Sequence, residues 1–169
     1  MAHTDAVQFD AAIALLRIVF GVFLAAHGVN KIVGGIEGTV RWFASIGMRW
    51  PHIQARLAAA TEIGAGGLLA VGLLTPIAAA AIVSVMCVAI VVAHRKVGFF
   101  VFHPGQGWEY CASIITAAVV IGMTGPGRWS IDHLLEIGLD NWWGAAVTIA
   151  VGCSSAAAHL AISYRPSPS

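Results

Sequence analysis

Charge is what this sequence has least of. Of its 169 residues only 10% are Asp, Glu, Lys or Arg and 59% are apolar, against roughly 25% charged and 45–50% apolar in soluble globular domains. So few charges cannot cover a water-facing surface, which excludes a soluble globular domain and points to a chain solvated by lipid. A net charge of +1 leaves no basic excess for nucleic acid. Cysteine is sparse as well: Cys87, Cys111 and Cys153 stand inside apolar runs and form no C-x-x-C pair, so neither a disulfide framework nor a zinc site is expected. No paired haem ligands and no iron–sulfur cysteine cluster occur, and the chain is expected to carry no haem, flavin or iron–sulfur centre of its own. Asp5 and Asp10 precede the first apolar run, and no Lys or Arg comes before Arg17. A secretory leader needs a basic start and a small-residue cleavage site, so this run is read as a retained span.

What is present is a series of apolar runs, five in number, at about 11–33, 56–74, 77–94, 108–124 and 143–163. Each approaches the ~20 residues that cross a ~30 Å hydrocarbon core as a helix, so the expected class is all-α and polytopic, a single membrane domain. Gly21 with Ala25, and Gly66 with Ala70, give the small-residue spacing that lets membrane helices approach closely. Between the first two runs the segment 38–50, containing TVRWFASIGMRW, suits a short helix lying at the membrane interface. Trp142 and Trp143 open the fifth run where an aromatic belt would stand. Arg41, Arg49, Arg56, Arg95, Lys96 and Arg165 fall on one side of this topology, and only Arg128 lies outside the helices on the other. Positive charge stays inside, so the expectation is a bacterial inner-membrane protein with its N-terminus outside and its C-terminus cytoplasmic.

With that topology four helices deliver polar groups to one end. The first ends with His27, Asn30 and Lys31, the second carries Glu62 about six residues in from its start, roughly 9 Å along the axis, the third finishes at His94 and the fourth starts at Glu109. His27 and Lys31 share a face at i,i+4; Glu109, Ser113 and Thr116 form a second stripe, and Ser84, Cys87 and His94 a third. A carboxylate in hydrocarbon costs roughly 2.5–3.5 kcal/mol on insertion scales, so Glu62 is neutralised, paired or used. His27, Lys31, Glu62, His94 and Glu109 are therefore read as a polar pocket at the cytoplasmic leaflet. A quinone head suits it, because a carbonyl needs a donor and reduction needs protons. Each residue also has a structural reading. Lys31 snorkels, His94 and Glu109 sit at interfacial helix ends, His27 and Glu62 bond helix to helix, and Arg17 binds outer-leaflet phosphates or a helix end. His27, Glu62, His94 and Glu109 are metal-ligand types, but no tight spacing supports a metal and none is expected.

The chain resembles the DoxX family of small bacterial membrane proteins. The resemblance rests on an ordered series over residues 13–134: Arg17, then G-x-x-x-x-x-H-G-x-x-K (Gly21, His27, Gly28, Lys31), Phe43 and Gly47, E-x-G-x-G-x-L-L-x-x-G (Glu62 to Gly72), Pro76, Glu109 and GPGRWSID (Gly125 to Asp132). It implies a four-helix membrane bundle, similar to vitamin K epoxide reductase-like and methylamine-utilisation membrane proteins. That core would occupy 11–134, with an additional C-terminal transmembrane helix at 143–163. It also implies association with quinone-linked oxidoreductases, and with redox partners such as superoxide dismutase and a thiosulfate sulfurtransferase. The epoxide-reductase relatives work through a cysteine pair, which this chain lacks.

Two functions stay open on these grounds. One is a quinone-interacting subunit of a redox complex, with menaquinone or ubiquinone as cofactor. The other is a non-catalytic membrane anchor or assembly partner for soluble redox enzymes. The bilayer, quinone, other redox proteins and a second copy of the chain are the expected partners. A transporter is less favoured because no inverted repeat is visible.

Overall fold

Residues 2–10 contain neither proline nor glycine, and the first helix therefore starts well ahead of its apolar stretch. In the computed structural model, which describes residues 2–166, α1 is Ala2–Val33. The helix thus begins ahead of the expected start at 11, and its apolar, membrane-crossing stretch by length and composition is Ala6–Val33. The remaining helices are α2 (Ile36–Ser45), α3 (Pro51–Val71), α4 (Thr75–Ala89, continued as one π-helical turn, Ile90–His94), α5 (Glu109–Thr124), α6 (Ile131–Leu134) and α7 (Asn141–Ser163). The described residues contain no strand, only an isolated antiparallel bridge between Met48 and Tyr164. Of the two acids ahead of the first apolar run, the side chain of Asp5 lies outside the described residues.

The molecule is a helical membrane bundle. By length and composition α1, α4 with its π turn, and α7 can each cross a bilayer, and α5 is a shorter apolar helix. Large apolar side chains such as Leu15, Phe23 and Ile162 are exposed on the outside, as lipid solvation requires. The core between α1, α3, α4 and α5 is built on Leu24, Leu69, Ile82, Val83 and Ile121.

α1 and α3 cross at the small residues. A Cβ on Gly21 would lie 2.5 Å from the Gly66 carbonyl oxygen, and one on Gly66 would lie 2.6 Å from the Ala25 nitrogen. α7 packs along α4 and α5, where Gly152 lies against Val83 and Ala80 and the Thr148 hydroxyl donates to the Pro76 carbonyl at 3.2 Å. Its C-terminal end is tied to the α2–α3 turn, with Arg49 N–H donating to Ser163 and Arg165 N–H to Gly47.

The end of the bundle opposite Lys31 is held by a polar lock. α3 stops at Gly72 (φ 69), and the N–H groups of Gly72 and Leu73 bond back to Leu69 and Leu68, a Schellman ending. The Leu69 carbonyl, which already takes the Gly72 N–H, and the Ala70 carbonyl accept from the Arg17 guanidinium at 3.4 and 3.3 Å, and its other arm donates to Trp129 at 2.7 Å. Arg17 is thus buried on a helix end. The Asp132 carboxylate accepts from the first N–H groups of α4, Leu74 at 2.7 Å and Thr75 at 2.8 Å, which supplies an N-cap from 57 residues away. Asp10 accepts from Arg128, through the backbone N–H at 2.9 Å and the side chain at 2.5 Å.

Candidate functional site

The α1–α3 crossing sets the register that brings Lys31 to Glu62. One turn beyond it Gly28 admits the Ala59 carbonyl, which a Cβ would meet at 2.7 Å. The Lys31 ammonium then forms an ion pair with the Glu62 carboxylate. Glu62 is buried and Lys31 partly so. The acid in the apolar run is paired across two helices, and Lys31 does not simply reach out to the interface.

Beside this pair lies a cavity of about 680 Å³, within the range of small-molecule sites. α1, α3, α4, α5 and α7 all contribute to its wall, with Trp42 and Phe43 of α2. The wall is mostly apolar, with Phe20, Leu24, Ile82, Met86 and Ile114 among the lining side chains. His27, Lys31, Glu62 and His94 also line it. His27 and Phe23 are exposed, so the cavity meets the outer, lipid-facing surface of α1.

Glu109 is not among the lining residues. It sits in the first turn of α5, and its carboxylate accepts from the Val101 N–H at 3.2 Å, stitching the 97–108 loop. Ser113 and Thr116, expected on its stripe, are exposed, and their hydroxyls donate to the Glu109 and Ala112 carbonyls four residues back. The next residue, Tyr110, faces the cavity in its place. One residue is a 100° rotation on a helix, and packing rather than spacing sets which residue points inward.

Tyr110 meets His94 across the wall. The distance from Tyr110 Oη to His94 Nε2 is 2.6 Å, His94 Nδ1 lies 2.7 Å from the Gln106 carbonyl, and the rings stand edge to face at 82°. His94 closes the π turn Ile90–His94, a rare geometry that recurs at functional sites because it re-aims side chains. On α3, Gln54 donates to the Ser163 hydroxyl at 2.8 Å, while its Oε1 is buried without a partner. Tyr110, Gln54 and His159 are lining residues that spacing did not single out. A signal for His159 was available, since the fifth run carries it to the same end as His94. Gln54 lies ahead of the expected start at 56, in a turn that Pro51 adds to α3.

A second cavity, about 490 Å³, lies at the opposite end, lined by Asp10, Arg128, Asp132 and His133. Asp10, Arg128 and Asp132 are already engaged in the lock, so the Lys31 end is the candidate site. Among the described residues no three His, Cys, Asp or Glu side chains are arranged to hold a metal ion.

The geometry accounts for the sequence landmarks: Arg17, Gly72 and GPGRWSID form one lock, and His27, Lys31 and Glu62 line one cavity. The DoxX family model matches residues 12–95. The chain carries a DoxX domain. Among curated proteins it is 29% identical over 134 residues to "Putative oxidoreductase CatD" of Bacillus subtilis, covering 79% of this chain and 94% of that protein. It is 27% identical over 133 residues to "Uncharacterized membrane protein Rv3486" of Mycobacterium tuberculosis, covering 74% of this chain and 82% of the relative. No solved structure matches.

Proposed function

We propose that this DoxX protein is the quinone-interacting subunit of a membrane redox complex, taking the ring of a menaquinone or ubiquinone into the cavity at the Lys31 end. The observation that carries this reading is the cavity itself, an apolar space of about 680 Å³ at the lipid-facing surface with a polar end. A ligand that travels in the bilayer and carries polar atoms only on its head suits that division. The oxidoreductase name of the Bacillus relative adds support. Lys31 keeps N–H donors beyond the one given to Glu62, and with His27 it donates to a carbonyl oxygen. Glu62 and His94 stand at the same end, the first as a carboxylate and the second as an imidazole, both groups that can take up a proton. The bound quinone supplies the redox chemistry, and a partner protein delivers or removes the electrons. Positive-inside orientation puts this end in the cytoplasmic leaflet of the inner membrane.

Purified protein extracted with solvent is expected to release quinone, and a menaquinone analogue is expected to raise its Tm. Absence of both results refutes the reading. A second reading, a non-catalytic anchor for soluble redox enzymes, is favoured by one observation: the Lys31–Glu62 pair clamps α1 to α3. Glu62→Gln separates the two. A quinone site loses ligand affinity at nearly unchanged Tm, whereas a clamp loses stability or partner recovery.

A further inference from the structure

A carbonyl oxygen has lone pairs and no hydrogen, so the 2.7 Å contact between Gln106 O and His94 Nδ1 puts a hydrogen on Nδ1. In the neutral imidazole Nε2 then carries a lone pair. The 2.6 Å contact there is therefore made by the Tyr110 hydroxyl, which donates to His94. The Tyr110 proton is committed to the wall, and what Oη presents to the cavity is an acceptor.

Three features hold the pair in this state. The π turn Ile90–His94 aims the imidazole at α5. The edge-to-face packing, with ring centroids 5.2 Å apart, fixes the phenol. The Gln106 carbonyl belongs to the loop stitched by the Gly107 N–H donating to Phe100 and the Trp108 N–H donating to Gly98, so it stays in place behind the ring. Gln54 Oε1, buried in the α3 wall, is a second acceptor with no partner.

We propose that Tyr110, positioned by His94, is an acceptor station for a ligand hydroxyl, so that the cavity binds the quinol form in preference to the quinone form. This rests on the quinone reading of the site and deepens it by naming the redox form. A quinol hydroxyl donates to Tyr110 Oη, whereas a quinone carbonyl would place lone pair against lone pair there. Tyr110 is the contacting residue and His94 the positioning residue.

The test compares equilibrium binding of a menaquinone analogue with one isoprene unit and of its hydroquinone, measured anaerobically on the purified full chain. The hydroquinone is expected to bind about tenfold tighter, the scale of one well-made hydrogen bond against an unmade one. Tyr110→Phe should bring the two affinities within about twofold. His94→Phe frees the Tyr110 proton and should shift preference toward the quinone, while His94→Gln, which can still donate to Gln106 and accept from Tyr110, should retain the wild-type preference. A variant that merely loosened the fold would weaken both forms alike, and the wild-type ratio needs no variant at all. Equal binding, or tighter quinone, by the wild type overturns this assignment alone. Binding of neither form overturns the quinone reading together with it.

Discussion

Arg17 shows how a charge can be structural inside an apolar helix. It is 1% exposed, yet its guanidinium reaches two elements, the last carbonyls of α3 and the loop carbonyl of Trp129. Carbonyls left without donors inside a protein cost about 1–3 kcal/mol, and a C-terminal helix end prefers a cation beside it. Arg17→Ala should therefore destabilise the protein by about 3 kcal/mol in a detergent unfolding titration. Arg17→Lys should recover only part of this, because an ammonium lacks the planar fork that serves both elements. Full recovery by Lys would show that charge alone suffices. Gly72 belongs to the same unit: its φ of 69 needs glycine, and a Cβ there would meet Ser130 at 2.6 Å and strike the guanidinium.

At the scale of elements, the α1–α3 crossing decides which side chains can meet. The signature Glu62 to Gly72 contains Gly64 and Gly66, yet the two differ in kind. Gly66 lies against the α1 backbone, and nothing stands within 4 Å of a Cβ on Gly64. Gly66→Val should destabilise by about 3 kcal/mol through overpacking and pull Lys31 away from Glu62. Gly64→Ala should be neutral or stabilise by about 0.5 kcal/mol through helix propensity. Thermal unfolding of both variants checks this, and equal effects would refute close approach as the cause. At the far end of α4 the π turn does the complementary work. His94 was legible as a polar group near a helix end, but its aim at Tyr110 depends on a hydrogen-bonding register that apolar periodicity does not carry.

For the whole molecule, five helices run so that the ends of α1, α4 and α7 and the starts of α3 and α5 gather on the Lys31 side. Arg165 on the C-terminal side is tied to the α2–α3 turn at Gly47, which keeps that terminus with the basic loops. A fluorescent-protein fusion at the C-terminus is therefore expected to fluoresce in bacteria, and an alkaline phosphatase fusion at the same place to be inactive. The reverse pattern would invert the orientation and move the cavity to the outer leaflet. α7, which lies beyond the expected four-helix core, contributes His159 to the cavity wall and packs on α4 through Gly152. In this chain it is part of the bundle rather than an appended anchor.

Composition by itself determined that this chain lives in lipid, because 10% charged residues cannot solvate a surface. Run length determined most of the helices, and counting along them placed His27, Lys31, Glu62 and His94 at one end, since depth along a helix is a simple multiple of 1.5 Å per residue. Rotation about the helix axis is different. It is set by which small residues let two backbones touch, and only the tertiary structure decided it. That is why Glu109 faces a loop while Tyr110 lines the cavity, why Ser113 and Thr116 turn outward, and why Arg17 found a helix end. A helix's own sequence orders its residues by depth, but the partner against which it packs selects the face that looks inward.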